Sequence, residues 1–320
     1  MKAIIFNDEL KFVNDHPIPE PGPGEALIKV RLAGICNTDL EITKGYKEYR
    51  GIIGHEFVGV VEKIHGDNRK FLKKRVVGEI NCVCGECQYC KAGLKRHCPS
   101  RTTIGIAGKD GALAEYVALP VENLYVVPEH VKDEEAVFAE PLAAAYEILE
   151  QVHVKPTETI LVLGDGKLGI LVALVLHLSL ARTVLAGKHE EKLAIARDQG
   201  VPITTLEDLV AKKAFDVVVD ATGSPDGLEQ SLHHVKPRGT IILKTTAAEK
   251  ARIDLAPVVV DEIQIIGSRC GPFEPAMRAL SEKRVRVGRL ISGIYSFSRA
   301  AEAFAKAQEK DSLKVIIDFA

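Results

Sequence analysis

Residues 159–176 read TILVLGDGKLGILVALVL, and this stretch decides the fold of the second half of the chain. Its apolar beginning is typical of a buried strand, and its longer apolar end is typical of a buried helix. Between the two lie Gly164, Gly166 and Gly169, in the spacing GxGxxG. A strand, this glycine turn and a helix in succession predict a dinucleotide-binding unit, because the positive end of the helix faces the cofactor phosphates.

The three glycines have separate roles in this prediction. Gly164 permits the tight turn, Gly166 lets the backbone approach the pyrophosphate, and Gly169 lets the helix pack on the strand. Lys167 and Leu168 belong to the same motif, so we expect them at the cofactor as well. The alternative is a glycine turn in an α/β protein that binds no nucleotide.

The end of the next predicted strand indicates which coenzyme to expect. In dinucleotide-binding folds this strand normally ends in an acidic residue that accepts hydrogen bonds from the adenosine ribose. Here TVLA is followed by Gly187, Lys188 and His189. The glycine brings no carboxylate to repel a 2′-phosphate, and the two basic residues supply positive charge, so we expect NADP rather than NAD. The alternative is that Lys188 and His189 are solvated residues of a surface turn.

Length and the alternation of elements predict the domain organisation. A chain of 320 residues exceeds the size at which a single core usually splits, so about two domains are expected. Residues 1–130 carry short β-rich runs such as ALIKVRLAGI, which predict a β-rich domain. Residues 131–268 alternate strands with helices, which predicts βαβ units and a parallel sheet covered on both faces. Residues 269–320 contain helical segments and a last strand, and we expect them to return to the first domain.

A second pattern lies in residues 84–98, CGECQYCKAGLKRHC. The spacing lets one short loop direct the sulfurs of Cys84, Cys87, Cys90 and Cys98 at a single point, as tetrahedral zinc requires. Four cysteine ligands complete the coordination shell, so the predicted zinc site is structural. The alternative is a pair of disulfides, but the chain has seven cysteines, which leaves an odd one, and nothing in it points to export.

Composition and charge argue against several classes of partner. Hydrophobic residues make up 46% of the chain and charged residues 27%, which is ordinary for a globular protein. A formal net charge of −2 offers no field for a polyanion, so we expect no nucleic-acid partner. The start MKAIIFNDELKF lacks the pattern of a secretion signal, and the most apolar stretch, residues 168–180, is shorter than the roughly 20 residues that span a bilayer. We therefore expect a cytoplasmic protein without a membrane partner.

Further motifs follow one another along the chain: GICNTD around Cys36, GHEFVGVV around His55, FAEPLA around Glu140, DATG at 220–223 and GSRCG at 267–271. Together with the cysteine cluster and the glycine loop, they resemble the zinc-dependent medium-chain alcohol and polyol dehydrogenases over nearly the whole chain. The resemblance implies an α/β protein in which a GroES-like β-rich catalytic domain is joined to a doubly wound Rossmann domain. It also implies a homodimer or homotetramer, and it places Thr222 of DATG at the cofactor.

The same resemblance implies a second, catalytic zinc held by Cys36 and His55, with Glu140 at the third ligand position. A glutamate there is similar to the sorbitol and sugar dehydrogenase branch, so the expected substrate is an alcohol or polyol. Three protein ligands leave one zinc position open for the substrate oxygen. The metal then stabilises the alkoxide, from which hydride passes to the nicotinamide.

Three neighbours of these ligands have roles that the resemblance implies. Thr38 matches a hydroxyl that passes the substrate proton towards solvent; the alternative is a loop threonine that caps a helix. Asp39 matches a carboxylate that orients the zinc histidine. Glu56 matches a glutamate that coordinates the metal transiently; the alternative is a buried carboxylate paired with a nearby arginine. Glu41 departs from the family, where many members carry a histidine that ends the proton relay.

The sequence thus predicts a zinc-dependent oxidoreductase that transfers a hydride between NAD(P) and a secondary alcohol or polyol. One alternative is a zinc-independent NADPH reductase of conjugated carbonyls, which shares the fold. Another is a non-catalytic sensor of nucleotide redox state that holds only a structural zinc. The presence of Cys36, His55 and Glu140 together favours the zinc dehydrogenase.

Overall fold

A computed structural model describes residues 1–67, 69–210, 212–245 and 252–320 of the chain. The strands are β1 Ala3–Asn7, β2 Glu9–Val13, β3 Glu25–Ile35, β4 Gly51–Ile52, β5 Glu56–Ile64, β6 Arg75–Gly78, β7 Asn81–Cys82, β8 Thr102–Ile104, β9 Gly108–Lys109, β10 Tyr116–Pro120, β11 Leu124–Val126, β12 Thr159–Leu163, β13 Arg182–Gly187, β14 Ile203–Thr205, β15 Phe215–Asp220, β16 Val235–Leu243, β17 Gln264–Gly267, β18 Ile291–Ser296 and β19 Lys314–Asp318. The α-helices are α1 Asn37–Ile42, α2 Gln88–Lys91, α3 Asp133–Ala136, α4 Ala139–Gln151, α5 Lys167–His177, α6 Glu190–Arg197, α7 Gly227–His234, α8 Ala256–Val260, α9 Phe273–Ser281 and α10 Ala300–Gln308. Short 3₁₀ helices cover Tyr46–Glu48, Arg69–Phe71, Lys95–His97, Val121–Asn123, Gly288–Leu290 and Phe297–Arg299.

These elements form two compact units. The first unit contains Met1–Glu140 and Ile291–Ala320, and the second contains Pro141–Leu290. The C-terminal strands β18 and β19 therefore belong to the first unit, whereas α9 belongs to the second. The domain boundaries at residues 130 and 268 that we expect from the sequence stay predictions.

The first unit is built mainly from β-strands. Its largest sheet has the order β11-β6-β5-β3-β19-β18, and β10 also pairs with β3. Two smaller sheets have the orders β2-β1-β4 and β7-β8-β9. In the middle of β3 the exposed Lys29 and Arg31 alternate with buried Ile28, Val30 and Leu32, as expected where one face of a strand meets solvent and the other meets the core.

The pairing of β3 with β5 brings two distant parts of the sequence together. Gly34 near the end of β3 lies opposite Glu56, the first residue of β5. Because the two strands are antiparallel, the segment that follows β3 and the segment that precedes β5 leave the sheet at the same end of the strands. On its other side β3 pairs with β19, where Ile316 lies opposite Gly34.

The second unit contains a six-stranded parallel sheet with the order β14-β13-β12-β15-β16-β17. The chain moves outwards from β12 first to one side and then to the other, so the loops after β12 and β15 adjoin the point where the strand order reverses. In open parallel sheets, ligands bind at this point, outside the carboxyl ends of the strands. The sequence-based prediction of an α/β fold with this parallel sheet is confirmed.

Hydrophobic residues fill the centre of the sheet in the second unit. Strand β12 is buried from Ile160 to Leu163, and Val217, Val218 and Val219 of β15 are buried beside it. Continuous apolar strands of this kind require cover on both faces, and α5 and α7 pack against them. Among the described residues, no helix is both long enough and apolar enough to cross a membrane.

The glycine loop gives a stability prediction with a control in the same motif. A Cβ atom at Gly169 would lie 1.9 Å from the carbonyl oxygen of Gly164, which is backbone and cannot rotate away. We expect Gly169→Ala to lower the free energy of unfolding by about 2 kcal/mol or more. Urea denaturation followed by circular dichroism measures this loss.

The matched control is Gly166→Ala. A Cβ atom at Gly166 would meet nothing within 4 Å, and the φ of −72° suits any residue. We expect this variant to lose about 1 kcal/mol or less, since the main cost is a weaker helix cap. Equal stability of the two variants would contradict the packing role of Gly169.

Candidate active site

Cys36 and His55 lie side by side at the end of the sheet where β3 ends and β5 begins. Cys36 immediately follows β3 and caps the N-terminus of α1, while His55 immediately precedes β5. The ligand atoms of Cys36, His55 and Glu56 lie within 4.8 Å of one another. The structure therefore brings together the thiol and the imidazole that the sequence resemblance assigned to the catalytic zinc.

Asp39 connects the two segments that carry these ligands. Its side chain is fully buried. The Oδ2 atom accepts a hydrogen bond of 2.7 Å from the Cys36 backbone N–H, and Oδ1 accepts one of 3.1 Å from Gly54. His55 Nδ1 lies 3.4 Å from the same Oδ1. A carboxylate beside Nδ1 favours the tautomer in which the other ring nitrogen is available to a metal.

The electrostatics of this cluster favour a bound cation. Burial alone would lower the pKa of His55, but the negative charges of Asp39 and Cys36 outweigh burial and raise that pKa well above its usual range. The cluster thus stabilises positive charge beside the sulfur and the imidazole. A thiol, an imidazole and a carboxylate are also the donor types that zinc prefers, so the residues present fit that metal.

Glu56 forms a buried ion pair with Lys314 of β19. Both side chains are completely buried, and the ammonium group lies 5.6 Å from the centre of the Phe138 ring. From the sequence, the alternative role for Glu56 was a buried carboxylate paired with an arginine. The structure shows that the partner is a lysine. Sequence reasoning missed Lys314; its one signal was a lysine at the head of the apolar run KVIID.

Glu140 lies in the first turn of α4, outside the group of three ligand atoms named above. Burial raises the pKa of Glu140 to about 7; His55 acts in the opposite direction, whereas Glu56 and Glu79 raise the pKa further. Glu140 is therefore close enough to feel the charges of the cluster. Its role as third zinc ligand stays a prediction.

The proposed proton relay has one residue near the sulfur and one at the surface. Thr38 Oγ1 lies 3.8 Å from Cys36 Sγ, in the first turn of α1. Glu41, the residue at which the sequence departs from the pattern that the resemblance implies, forms a surface ion pair of 2.9 Å with Lys44. The hydroxyl of Thr38 thus lies near a predicted metal ligand, whereas the carboxylate of Glu41 is paired with Lys44.

The four cysteines of residues 84–98 form a separate cluster. Their sulfur atoms lie within 4.8 Å of one another, with 3.5 Å between Cys84 and Cys98 and 4.0 Å between Cys84 and Cys90. A disulfide needs about 2.05 Å between its sulfurs, and none of the seven cysteines, all of which lie in the described residues, forms one. Backbone N–H groups of Cys87 and Glu86 lower the pKa of Cys84 to about 7, whereas burial and the neighbouring sulfurs raise the pKa of Cys90 to about 12.

The glycine loop in the second unit has the geometry of a phosphate-binding turn. Gly164 has a φ of +114°, and a Cβ atom there would lie 2.5 Å from the carbonyl oxygen of Ala221. Gly166 caps the N-terminus of α5, and the space in front of it is open. Lys167 and Leu168 form the first turn of that helix. A pyrophosphate fits at this helix end, where the backbone N–H groups have no partner within the helix.

Thr222 lies beside the glycine loop, after β15. Its backbone N–H and its hydroxyl both donate hydrogen bonds to Asp220 Oδ1, at 3.0 and 2.7 Å. Its Cα is among the atoms that a Cβ at Gly164 would meet, at 2.9 Å. The structure thus places Thr222 and the glycine loop together, at the reversal of the strand order. Their contacts with a cofactor stay predictions.

Gly187, Lys188 and His189 follow one another at the end of β13, with both basic side chains exposed. Beside them lies Asp165, the second residue of the glycine loop. Its Oδ2 accepts hydrogen bonds from the backbone N–H groups of Lys188 and His189, at 2.7 and 2.6 Å, and lies 3.0 Å from His189 Nδ1. The sequence-based argument for NADP assumed that no carboxylate lies at this strand end, and the structure places one there.

Asp165 is thus a second residue that sequence reasoning missed. Burial would raise its pKa, but the hydrogen bonds from His189 and Lys188 outweigh burial and keep the pKa below its usual value. The carboxylate is accordingly charged at neutral pH. Its only sequence signal was an acidic residue inside the glycine motif.

Comparisons with known proteins agree with this geometry. Residues 22–129 match the family described as alcohol dehydrogenase GroES-like domain, and residues 135–319 match the family described as glucose dehydrogenase C-terminus. D-arabitol-phosphate dehydrogenase of Enterococcus avium is 30% identical, over 97% of this chain and 94% of its own length.

Two solved structures have the same fold throughout. A short-chain alcohol dehydrogenase of Escherichia coli CFT073, complexed with NADH, is 26% identical with a TM-score of 0.90, over 100% of this chain and 99% of its own. A putative zinc-binding dehydrogenase of Sinorhizobium meliloti 1021, bound to NADP, is 27% identical with a TM-score of 0.89, over 99% and 98%. The two structures hold different coenzymes, so similarity alone does not decide between NAD and NADP.

The cysteine cluster gives a metal-content prediction. We expect Cys98→Ser to lower the zinc content by about one ion per chain and to lower the melting temperature, because a structural zinc contributes its binding energy to folding. Cys82→Ser is the control, since Cys82 is a free thiol close in sequence that does not belong to the cluster. Elemental analysis after dialysis measures the zinc. Equal zinc in both variants would contradict the assignment.

Asp39 gives a prediction for the other site. Asp39→Asn keeps the shape of the side chain but removes the charge beside His55. We expect a loss of roughly 10–100-fold in zinc affinity at that site, the range typical of such a carboxylate partner. Competition with a coloured chelator measures the affinity, and Asp15→Asn, which changes an exposed aspartate, is the control. Unchanged affinity in Asp39→Asn would show that this carboxylate does not support a metal ligand.

Proposed function

The chain belongs to the zinc-dependent medium-chain alcohol and polyol dehydrogenases, and from this premise we propose that Cys36 and His55 hold the catalytic zinc at which a secondary alcohol is oxidised. Enzymes of this family transfer a hydride between an alcohol or polyol and NAD(P). The observation that carries the proposal is that the thiol of Cys36, the imidazole of His55 and the carboxylate of Glu56 lie close together where β3 ends and β5 begins.

Each residue of the cluster has a separate task in this proposal. A zinc ion held there supplies a positive charge that makes the hydroxyl group of the substrate more acidic. Thr38, near the sulfur of Cys36, would accept the hydroxyl proton while it donates its own proton to a water molecule, which carries the charge to solvent. Asp39 keeps the ring of His55 oriented while the charge of the site changes.

We propose Glu140 as the third protein ligand of that zinc. Burial and two neighbouring carboxylates make its negative charge costly, and a cation bound beside it would offset that cost. Glu56 is already paired with Lys314, which suits a residue that coordinates only transiently. In the second unit, the glycine loop and Thr222 would hold the coenzyme, with the pyrophosphate at the N-terminus of α5.

The substrate we propose is a small polyol or its phosphate. Glu140 in place of cysteine points to the polyol branch, and the relative from Enterococcus avium is a dehydrogenase of D-arabitol phosphate. We further propose a homodimer or homotetramer in the cytoplasm. The finer sequence prediction, NADP rather than NAD, depends on Lys188 and His189; it stays a prediction, and the carboxylate of Asp165 beside them opposes it.

An activity screen tests the proposal. Oxidation of sugar alcohols, sugar alcohol phosphates and simple diols is followed by the absorbance of the reduced coenzyme. We expect Cys36→Ser to lower kcat/KM by roughly 10³-fold or more, equivalent to about 4 kcal/mol, while Cys82→Ser keeps the activity. Thr38→Val should lower kcat by roughly 10²-fold or more, and Thr38→Ser should restore most of it.

The same screen separates the alternatives. A zinc-independent reductase would reduce conjugated carbonyls with NADPH and would be indifferent to Cys36→Ser. A redox sensor would bind the coenzyme and turn over no substrate. Either outcome would overturn the proposed alcohol oxidation.

A further inference from the structure

The end of β13 lacks the acidic side chain that normally contacts the adenosine ribose, but it does not lack a carboxylate. A Cβ atom on Gly187 would lie 2.4 Å from Cβ, 2.6 Å from Cγ and 2.6 Å from Oδ2 of Asp165. The side chain of Asp165 therefore fills the space in which a side chain at position 187 would begin. The glycine at 187 is required by this arrangement, because any larger residue would collide with Asp165.

The sheet places Asp165 there. Leu163 of β12 pairs with Ala186 of β13, and the backbone N–H of Gly164 donates a hydrogen bond of 2.9 Å to the carbonyl of Ala186. The next residue of the glycine loop consequently lies beside Gly187. Its position is thus set by strand pairing and does not depend on a flexible surface loop.

The two carboxylate oxygens of Asp165 differ in their hydrogen bonds. Oδ2 receives the two backbone N–H groups of Lys188 and His189 and lies beside the His189 ring. In the part of the chain that the structure describes, no hydrogen bond reaches Oδ1. One carboxylate oxygen is therefore fixed by the protein, and the other can accept a hydrogen bond from a hydroxyl group of a ligand.

We infer that Asp165 supplies, from the glycine loop, the carboxylate that the second strand supplies in other dinucleotide-binding folds, and that the chain therefore prefers NAD(H) to NADP(H). This inference rests on the proposed function, since it concerns the coenzyme of that reaction. Asp165 Oδ1 accepts a hydrogen bond from the adenosine ribose, and its charge repels a phosphate at the same place.

Lys188 and His189 do not outweigh this effect. Their backbone N–H groups, which a 2′-phosphate could otherwise use, are already bonded to Asp165. The ring of His189 faces the same carboxylate oxygen, and the side chain of Lys188 is exposed. An exposed ammonium group is screened by water and salt, whereas a buried carboxylate acts at close range in a less polar environment.

Direct titration of the dialysed protein with NADH and NADPH tests the inference, with the fluorescence of the reduced nicotinamide as the signal. Wild-type protein should bind NADH at least about tenfold more tightly than NADPH, and Asp165→Asn should reduce that ratio about tenfold or more. Asp198→Asn is the control, because it removes an exposed carboxylate at the far end of α6. The control should keep the wild-type ratio.

A rescue variant covers the case in which Asp165→Asn does not fold. The double variant Asp165→Gly with Gly187→Asp returns the carboxylate to the strand end, in the space that Asp165 vacates, and should restore the preference for NADH. Equal or tighter binding of NADPH to the wild type, or an unchanged ratio in Asp165→Asn, would overturn the inference alone. Failure of both coenzymes to bind the wild type would overturn the proposed function as well.

Discussion

The candidate active site depends on the interactions of one buried carboxylate, that of Asp39. A charge removed from water costs several kcal/mol unless hydrogen bonds and opposite charge compensate for it. Here the compensating groups are the backbone N–H groups of Cys36 and Gly54 and the ring of His55. Because all of them meet one carboxylate, the segment after β3 and the segment before β5 are held at a single point, with the thiol and the imidazole side by side.

A second buried charge pair connects the start of β5 to the last strand of the chain. Lys314 of β19 pairs with Glu56, which directly follows His55. Cys36, Asp39, Glu56 and Glu140 can all carry negative charge in this region, and Lys314 compensates for only part of it. A divalent cation held by Cys36 and His55 would compensate for more of this charge, so the electrostatics of the site and the chemistry of its donor atoms suit the same kind of occupant.

Sequence patterns predicted what depends on local spacing, and they missed what depends on strand pairing. The alternation of apolar segments predicted the parallel sheet, and the cysteine spacing of residues 84–98 predicted sulfurs that converge. The pairing of Lys314 with Glu56 joins residues that are 258 positions apart, so no local pattern could indicate it. Asp165 was visible within the glycine motif, but its proximity to Gly187 follows from the register of β12 and β13. Glu140 was identified by resemblance, and its position relative to Cys36 and His55 depends on where α4 begins.

The central claim is that Cys36 and His55 bind a metal ion that is separate from the one in the cysteine cluster. Anomalous diffraction at the zinc edge, from crystals of the zinc-loaded protein, tests it most directly. We expect one peak surrounded by the four clustered cysteines and a second peak roughly 2.3 Å from Cys36 Sγ and about 2.0 Å from a ring nitrogen of His55. A single peak at the cysteine cluster, with Cys36 and His55 unbound in fully loaded crystals, would contradict the account.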